Sequence, residues 1–89
     1  MARYQRAKGV QVSSVGDRVV LYQSQTKRAI VLNPTGARLW QALASPCTTD
    51  DLSAELTTAF PGVAPEQASR DVAAYIQQLS EQQLVVAEG

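Results

Sequence analysis

The stretch KRAIVLNPTGARLWQAL, residues 27–43, decides the fold. Its first part, 29–32, is a short apolar run with β-branched residues and reads as a strand. Asn33 then supplies a side-chain oxygen suited to an N-cap. Pro34 suits the first helical position, where a missing N–H costs nothing. Leu39, Trp40 and Leu43 recur at helical spacing, so a helix is predicted from 34 to about 44. A strand therefore runs straight into a capped amphipathic helix.

Upstream, 9–13 alternates Val10 and Val12 with polar neighbours, and Gly16-Asp17 marks a turn. Residues 18–23, RVVLYQ, form a β-rich run, and polar 24–26 forms the next turn. With 28–32 this makes three strands on short loops, an antiparallel meander. Downstream, Ser45-Pro46-Cys47 breaks the chain. Thr48 and Asp51 then stand at capping-box spacing, and Leu52, Leu56, Ala59 and Phe60 make the stripe of a second helix. Pro61-Gly62 ends it. Pro65 opens a third helix with Glu66 in its first turn, where the dipole favours an anion. Ala68, Val72, Tyr75, Ile76 and Leu79 form its stripe, and Leu84-Val85-Val86 is an apolar tail able to close the core. Strands first and helices afterwards give an α+β class: a three-stranded antiparallel sheet followed by three helices, winged helix-turn-helix-like. Residues 1–8 read as a flexible basic arm and 9–89 as the domain.

Eighty-nine residues suffice for one small core. No apolar run is long enough to span a bilayer. The basic start MARYQRAKGV has no apolar run after it and is not read as a secretion signal. One cysteine, Cys47, fits a reducing cytoplasm. The chain has no histidine, the commonest general base and metal ligand. Asp50-Asp51 is the one adjacent carboxylate pair and belongs to a helix start. Thr35-Gly36 lacks the lysine and glycine spacing of a phosphate loop. No metal, cofactor or unaided enzymatic activity is expected.

Net charge is zero, yet up to Arg38 there are seven basic residues against one acidic, and beyond it the reverse. Either the basic half meets something acidic or the halves attract each other. A winged helix that reads DNA needs cations on its last helix. Here Arg70 stands among Glu66, Asp71 and Glu81, which phosphates would repel. A small winged-helix regulator of DNA is thus the rival reading, and nucleic acid is not the expected partner.

Several segments in this order resemble a known family. They are Val31-Leu32-Asn33, the helix carrying Trp40, the Thr-initiated helix from Thr48 to Phe60, and Asp71-Val72-Ala73-Ala74-Tyr75-Ile76-Gln77-Gln78-Leu79 followed by Leu84-Val85. Together they resemble the PqqD-like domains that recognise precursors of ribosomally made, modified peptides. The span from Tyr22 to Arg28 and the run Asn33, Gly36, Ala37, Trp40 look most like the free-standing leader-binding proteins of lasso-peptide pathways. The resemblance implies that a leader peptide adds to the third strand. It also implies that leader side chains, often a Tyr and a Pro, enter a groove between that strand and the third helix. A transglutaminase-like leader protease and a lasso cyclase are the implied partners. A peptide chaperone for a radical SAM enzyme, as in pyrroloquinoline quinone synthesis, has nearly the same pattern and stays open.

The physics of strand addition agrees with this. An edge strand carries unpaired N–H and C=O groups that a disordered peptide can satisfy. Lys27, Arg28, Ala29, Ile30, Val31 and Leu32 offer such an edge, with Ile30 and Leu32 on one face and Ala29 and Val31 on the other. Leu32 reads as core, while Ile30 and Val31 are open to core or peptide roles. Lys27 and Arg28 either meet acidic leader residues or form a solvated turn. Ala68, Asp71, Val72, Tyr75 and Ile76 are the third-helix candidates, with Val72, Tyr75 and Ile76 favoured as the groove floor. Trp40 is read as core, with a partner contact second.

Overall fold

A computed structural model describes residues 2–88. In chain order it contains β1 (Arg3–Arg6), β2 (Val10–Val15), β3 (Arg18–Gln23), β4 (Arg28–Leu32), α1 (Pro34–Ala42), α2 (Thr49–Ala59), α3 (Pro65–Glu81) and β5 (Val85–Glu88). The sheet β2-β3-β4 is antiparallel throughout, so the α+β class and the three helices stand as read. β2 runs two residues past its expected end because Gly16, at φ 63°, turns the chain within a two-residue loop. Glycine at the first loop position is what a type II′ hairpin turn requires.

The N-terminus differs from the sequence reading. The segment expected as a loose arm carries β1, which pairs antiparallel with β5 from Arg3↔Glu88 to Arg6↔Val85. Tyr4 also exchanges backbone hydrogen bonds with Cys47, at 2.7 and 3.0 Å. The short apolar tail is thus a strand with its own partner. Its first residues, Leu84 and Val85, are buried in the core, while Val86 is exposed. Met1 and Gly89, the ends of the two expected segments, lie outside the described residues.

The helix ends follow the local chemistry. Asn33 Oδ1 accepts from Gly36 N at 2.7 Å, with Pro34 at the start of α1. Thr48 and Asp51 form the complete capping box of α2, at 3.0 and 3.1 Å. α1 has no basic residue in its last turn. That place is taken from afar by Arg6, whose guanidinium donates to the Trp40 carbonyl and lies 4.6 Å from the Trp40 ring centroid. α3 ends in a Schellman arrangement: Leu84 N donates to Leu79 O at 2.8 Å and Gln83 N to Ser80 O at 3.1 Å, with Gln83 at φ 58°.

The core joins Leu21 and Leu32 of the sheet to Leu39, Trp40 and Leu43 of the first helical segment and to the inner faces of α2 and α3. Trp40 is core, as read. One polar side chain is sealed with them. Gln23, 1% exposed, donates to Gln83 O at 2.6 Å and to Lys8 O at 3.3 Å, and its Oε1 accepts from Gln25 N at 3.2 Å. Every polar atom of that amide is satisfied, so its burial is tolerated.

Candidate peptide interface

β4 lies at the edge of its sheet. It pairs with β3 alone among the described strands. Which backbone groups it leaves open follows from the register. Gly9 O accepts from Ser24 N, and Gln23 O accepts from Lys27 N at 2.8 Å. Antiparallel bonding alternates direction residue by residue. With Gln23 opposite Arg28 and Leu21 opposite Ile30, the residues of β4 that bond to β3 are Arg28, Ile30 and Leu32. Ala29 and Val31 therefore turn their N–H and C=O groups to the open side. Their side chains are exposed on the outer face, whereas Ile30 is half-buried and Leu32 buried toward the helices. Of the residues read as a binding edge, only Ala29 and Val31 offer backbone, because Ile30 and Leu32 spend theirs within the sheet. Lys27 lies in the turn before β4 at φ 58°, and Arg28 is exposed at the strand's start.

Where β4 runs into α1, a cavity of about 350 Å³ opens between α1 and α3. Asn33, Thr35, Gly36 and Leu39 form one wall, and Asp71, Ala74, Tyr75 and Gln78 the other. Gly36 is where the walls come closest. A Cβ there would stand 3.2 Å from Tyr75 Cε1, 3.2 Å from Asn33 Oδ1 and 3.4 Å from Leu32 Cδ2. Tyr75 Oη donates to Gly36 O at 2.8 Å, tying α3 to the first turn of α1. Burial pushes the Tyr75 phenol well above its usual pKa, and the charge of Arg6 offsets only part of this. The hydroxyl is therefore a neutral donor at physiological pH. At the rim, Gln67 Nε2 donates to Asp71 Oδ1 at 2.8 Å.

The third-helix candidates divide. Asp71 and Tyr75 line the groove. Ala68 (0%), Val72 (0%) and Ile76 (5%) are sealed in the core beneath it, which corrects the reading of Val72 and Ile76 as its floor. The physical reason is azimuth. The most apolar stripe of a helix faces the core, and a groove is lined by the flank beside it. Asp71, Ala74, Tyr75 and Gln78 occupy that flank at i, i+3, i+4 and i+7. The sequence signal was available in the small Ala74 beside Tyr75, but nothing local ranks it above Val72. Asn33, Thr35, Gly36 and Leu39 were read only as helix start and core, because their groove role depends on where α3 docks.

The charge asymmetry closes little internal pairing. Arg38 Nε to Glu55 Oε1, at 2.7 Å, is the one ion pair among the described residues, and both partners are partly exposed. Lys27 and Arg28 have no ionic partner there. No group of three or more potential metal ligands occurs among the described residues. The Cys47 thiol donates to the Ala42 and Ser45 carbonyls, both at 3.2 Å. Burial, then the nearby charges of Asp51 and Glu55, raises its pKa, which disfavours the nucleophilic thiolate. No helix among these residues is long and apolar enough to cross a membrane.

An open strand edge beside a side-chain groove defines a small α+β domain of the kind that can add a peptide strand. The chain belongs to the PqqD family, described as coenzyme PQQ synthesis protein D, which it matches over residues 18–85. Two solved structures share the fold. One is TbiB1 in complex with the TbiA(beta) leader peptide, with a TM-score of 0.81 and 21% identity over 91% of this chain and 93% of that one. The other is lasso peptide synthetase B1 complexed with its leader peptide, with a TM-score of 0.79 and 23% identity over 93% and 96%. No curated protein sequence matches the chain.

Proposed function

We propose that this protein captures the leader segment of a ribosomally made precursor peptide and presents it to separate modifying enzymes. The leader adds as a strand to β4, bonding to the backbone of Ala29 and Val31. Alternate leader side chains turn inward, where the groove of α1 and α3 has room for a ring such as Tyr or Pro. The observation that carries this reading is the vacant outward edge of β4 running directly into that groove. Two structures of the same fold that hold leader peptides support it. Binding, not bond-making, is the role, and the pathway is that of a lasso peptide. A leader-cleaving cysteine protease and a ring-forming cyclase receive the captured precursor, whose local concentration the protein raises. Lys27 and Arg28, without internal partners, stand ready for acidic leader residues.

The test is a titration of isotopically labelled protein with the leader encoded beside its gene, followed by backbone amide shifts. The largest shifts are expected at residues 29–33 and at Thr35, Gly36, Ala74 and Tyr75. Shifts that spare 29–31 would rule out strand addition at this edge. The family description favours a second reading, a chaperone for the peptide precursor of a redox cofactor. Tight binding of that class of precursor, with none to a lasso leader, would decide for it.

A further inference from the structure

The sheet has a second open edge, on the side away from β4. β2 pairs with β3 alone among the described strands, and five of its six residues are exposed. Natural edges are commonly blunted by charge or proline. β2, VQVSSV, contains neither, and its Val12 is 51% exposed. Gly9 O is spent on Ser24 N, so by alternation Gln11, Ser13 and Val15 bond to β3, while Val10, Val12 and Ser14 point N–H and C=O outward.

We propose that β2 is a self-association edge, at which a second copy of this chain pairs antiparallel about a two-fold axis through Val12. Two observations select that occupant and register. Only residues of the same parity as Val12 have free backbone groups, so each must meet its own kind. Val12 opposite Val12, with Val10 opposite Ser14, obeys this and brings the two exposed valines into direct contact. In the two neighbouring registers of equal parity Val12 meets Ser14 or the less exposed Val10 instead. The two-fold keeps both helical faces on one side of a continuous six-stranded sheet, β4-β3-β2-β2-β3-β4. Both β4 edges remain free at its ends, so the dimer offers two capture sites. One strand pair buries less than the usual stable interface, so the association is weak and concentration-dependent.

The test is the molar mass of the full chain by sedimentation from micromolar to millimolar concentration, with Val12→Lys and Val31→Lys compared. Mass rising toward a dimer, a dissociation constant raised about tenfold or more by Val12→Lys, and no change with Val31→Lys are the expected results. Circular dichroism checks that both variants keep the fold. A monomer at every concentration overturns the proposal. So does a dimer that Val31→Lys abolishes, or one indifferent to Val12→Lys.

Discussion

Tyr75 ties α3 to the first turn of α1 through one hydroxyl at the wall of the groove. It bonds to Gly36 O across the narrowest part of the groove, and burial holds the phenol neutral. Tyr75→Phe removes that bond and should cost about 1 kcal/mol in unfolding free energy. The pH dependence is more specific. The folded pKa lies above the model-peptide value of 10.0, so above that pH the unfolded chain loses a proton that the folded chain keeps. The stabilisation is complete below pH 10 and declines as pH rises further. The stability gap between wild type and Tyr75→Phe should therefore shrink above pH 10 in denaturant titrations. A constant gap would place the phenol in water. Gln23 is the second residue whose role is tertiary. Its amide links the β1–β2 turn, the end of β3 and the corner after α3, and no periodicity marks it.

Among the elements, β4 yields the sharpest contrast. Val31→Pro deletes an N–H that faces the open edge, and proline is tolerated on edge strands when its nitrogen faces outward. The fold should survive and leader affinity should fall by about tenfold or more, as loss of a hydrogen bond and its geometry implies. Ile30→Pro, one residue away, removes a bond to β3 and should unfold the sheet. Thermal melts and peptide titrations of the pair check the assigned direction of every bond along the strand. The end of α3 offers a gain instead. Gln83 adopts a left-handed conformation at the position where helices favour glycine. Its backbone carbonyl, which receives Gln23, is kept by any residue. Gln83→Gly should stabilise the protein by about 0.5–1 kcal/mol, the strain relieved less the added freedom of the unfolded chain. A chemical denaturation midpoint measures it.

Across the whole molecule, the chain ends hold the helical layer to the sheet. Arg6 reaches from β1 to the end of α1, where it caps the Trp40 carbonyl and covers the indole. Arg6→Ala should cost about 1–3 kcal/mol, combining a charged hydrogen bond with a cation–π contact. Arg6→Lys should recover only part, because the planar group is what stacks. Comparative melting of the two variants checks this. The residue belongs to a segment that, read locally, is a loose basic arm. β1 and β5 are four residues each, lie at opposite ends of the chain, and are strands only because each completes the other.

The sequence alone determined the parts whose causes are short-range. Asn33-Pro34 starts α1, Thr48 and Asp51 box the start of α2, Gly16-Asp17 turns the hairpin, and the apolar periods of α2 and α3 place their core faces. Each of these rests on atoms within a few residues, so composition and spacing carry it. The likeness of Asp71-Val72…Tyr75-Ile76 to a known family was equally legible, and it led to β4. Only the tertiary structure decided that residues 3–6 meet 85–88, that Ala29 and Val31 rather than Ile30 face the open edge, and that the groove is lined by Ala74 and Gln78 while Val72 and Ile76 lie beneath it. Those outcomes depend on register and on the azimuth of docking, which are set by the sum of many distant contacts and leave no mark on any single stretch of chain.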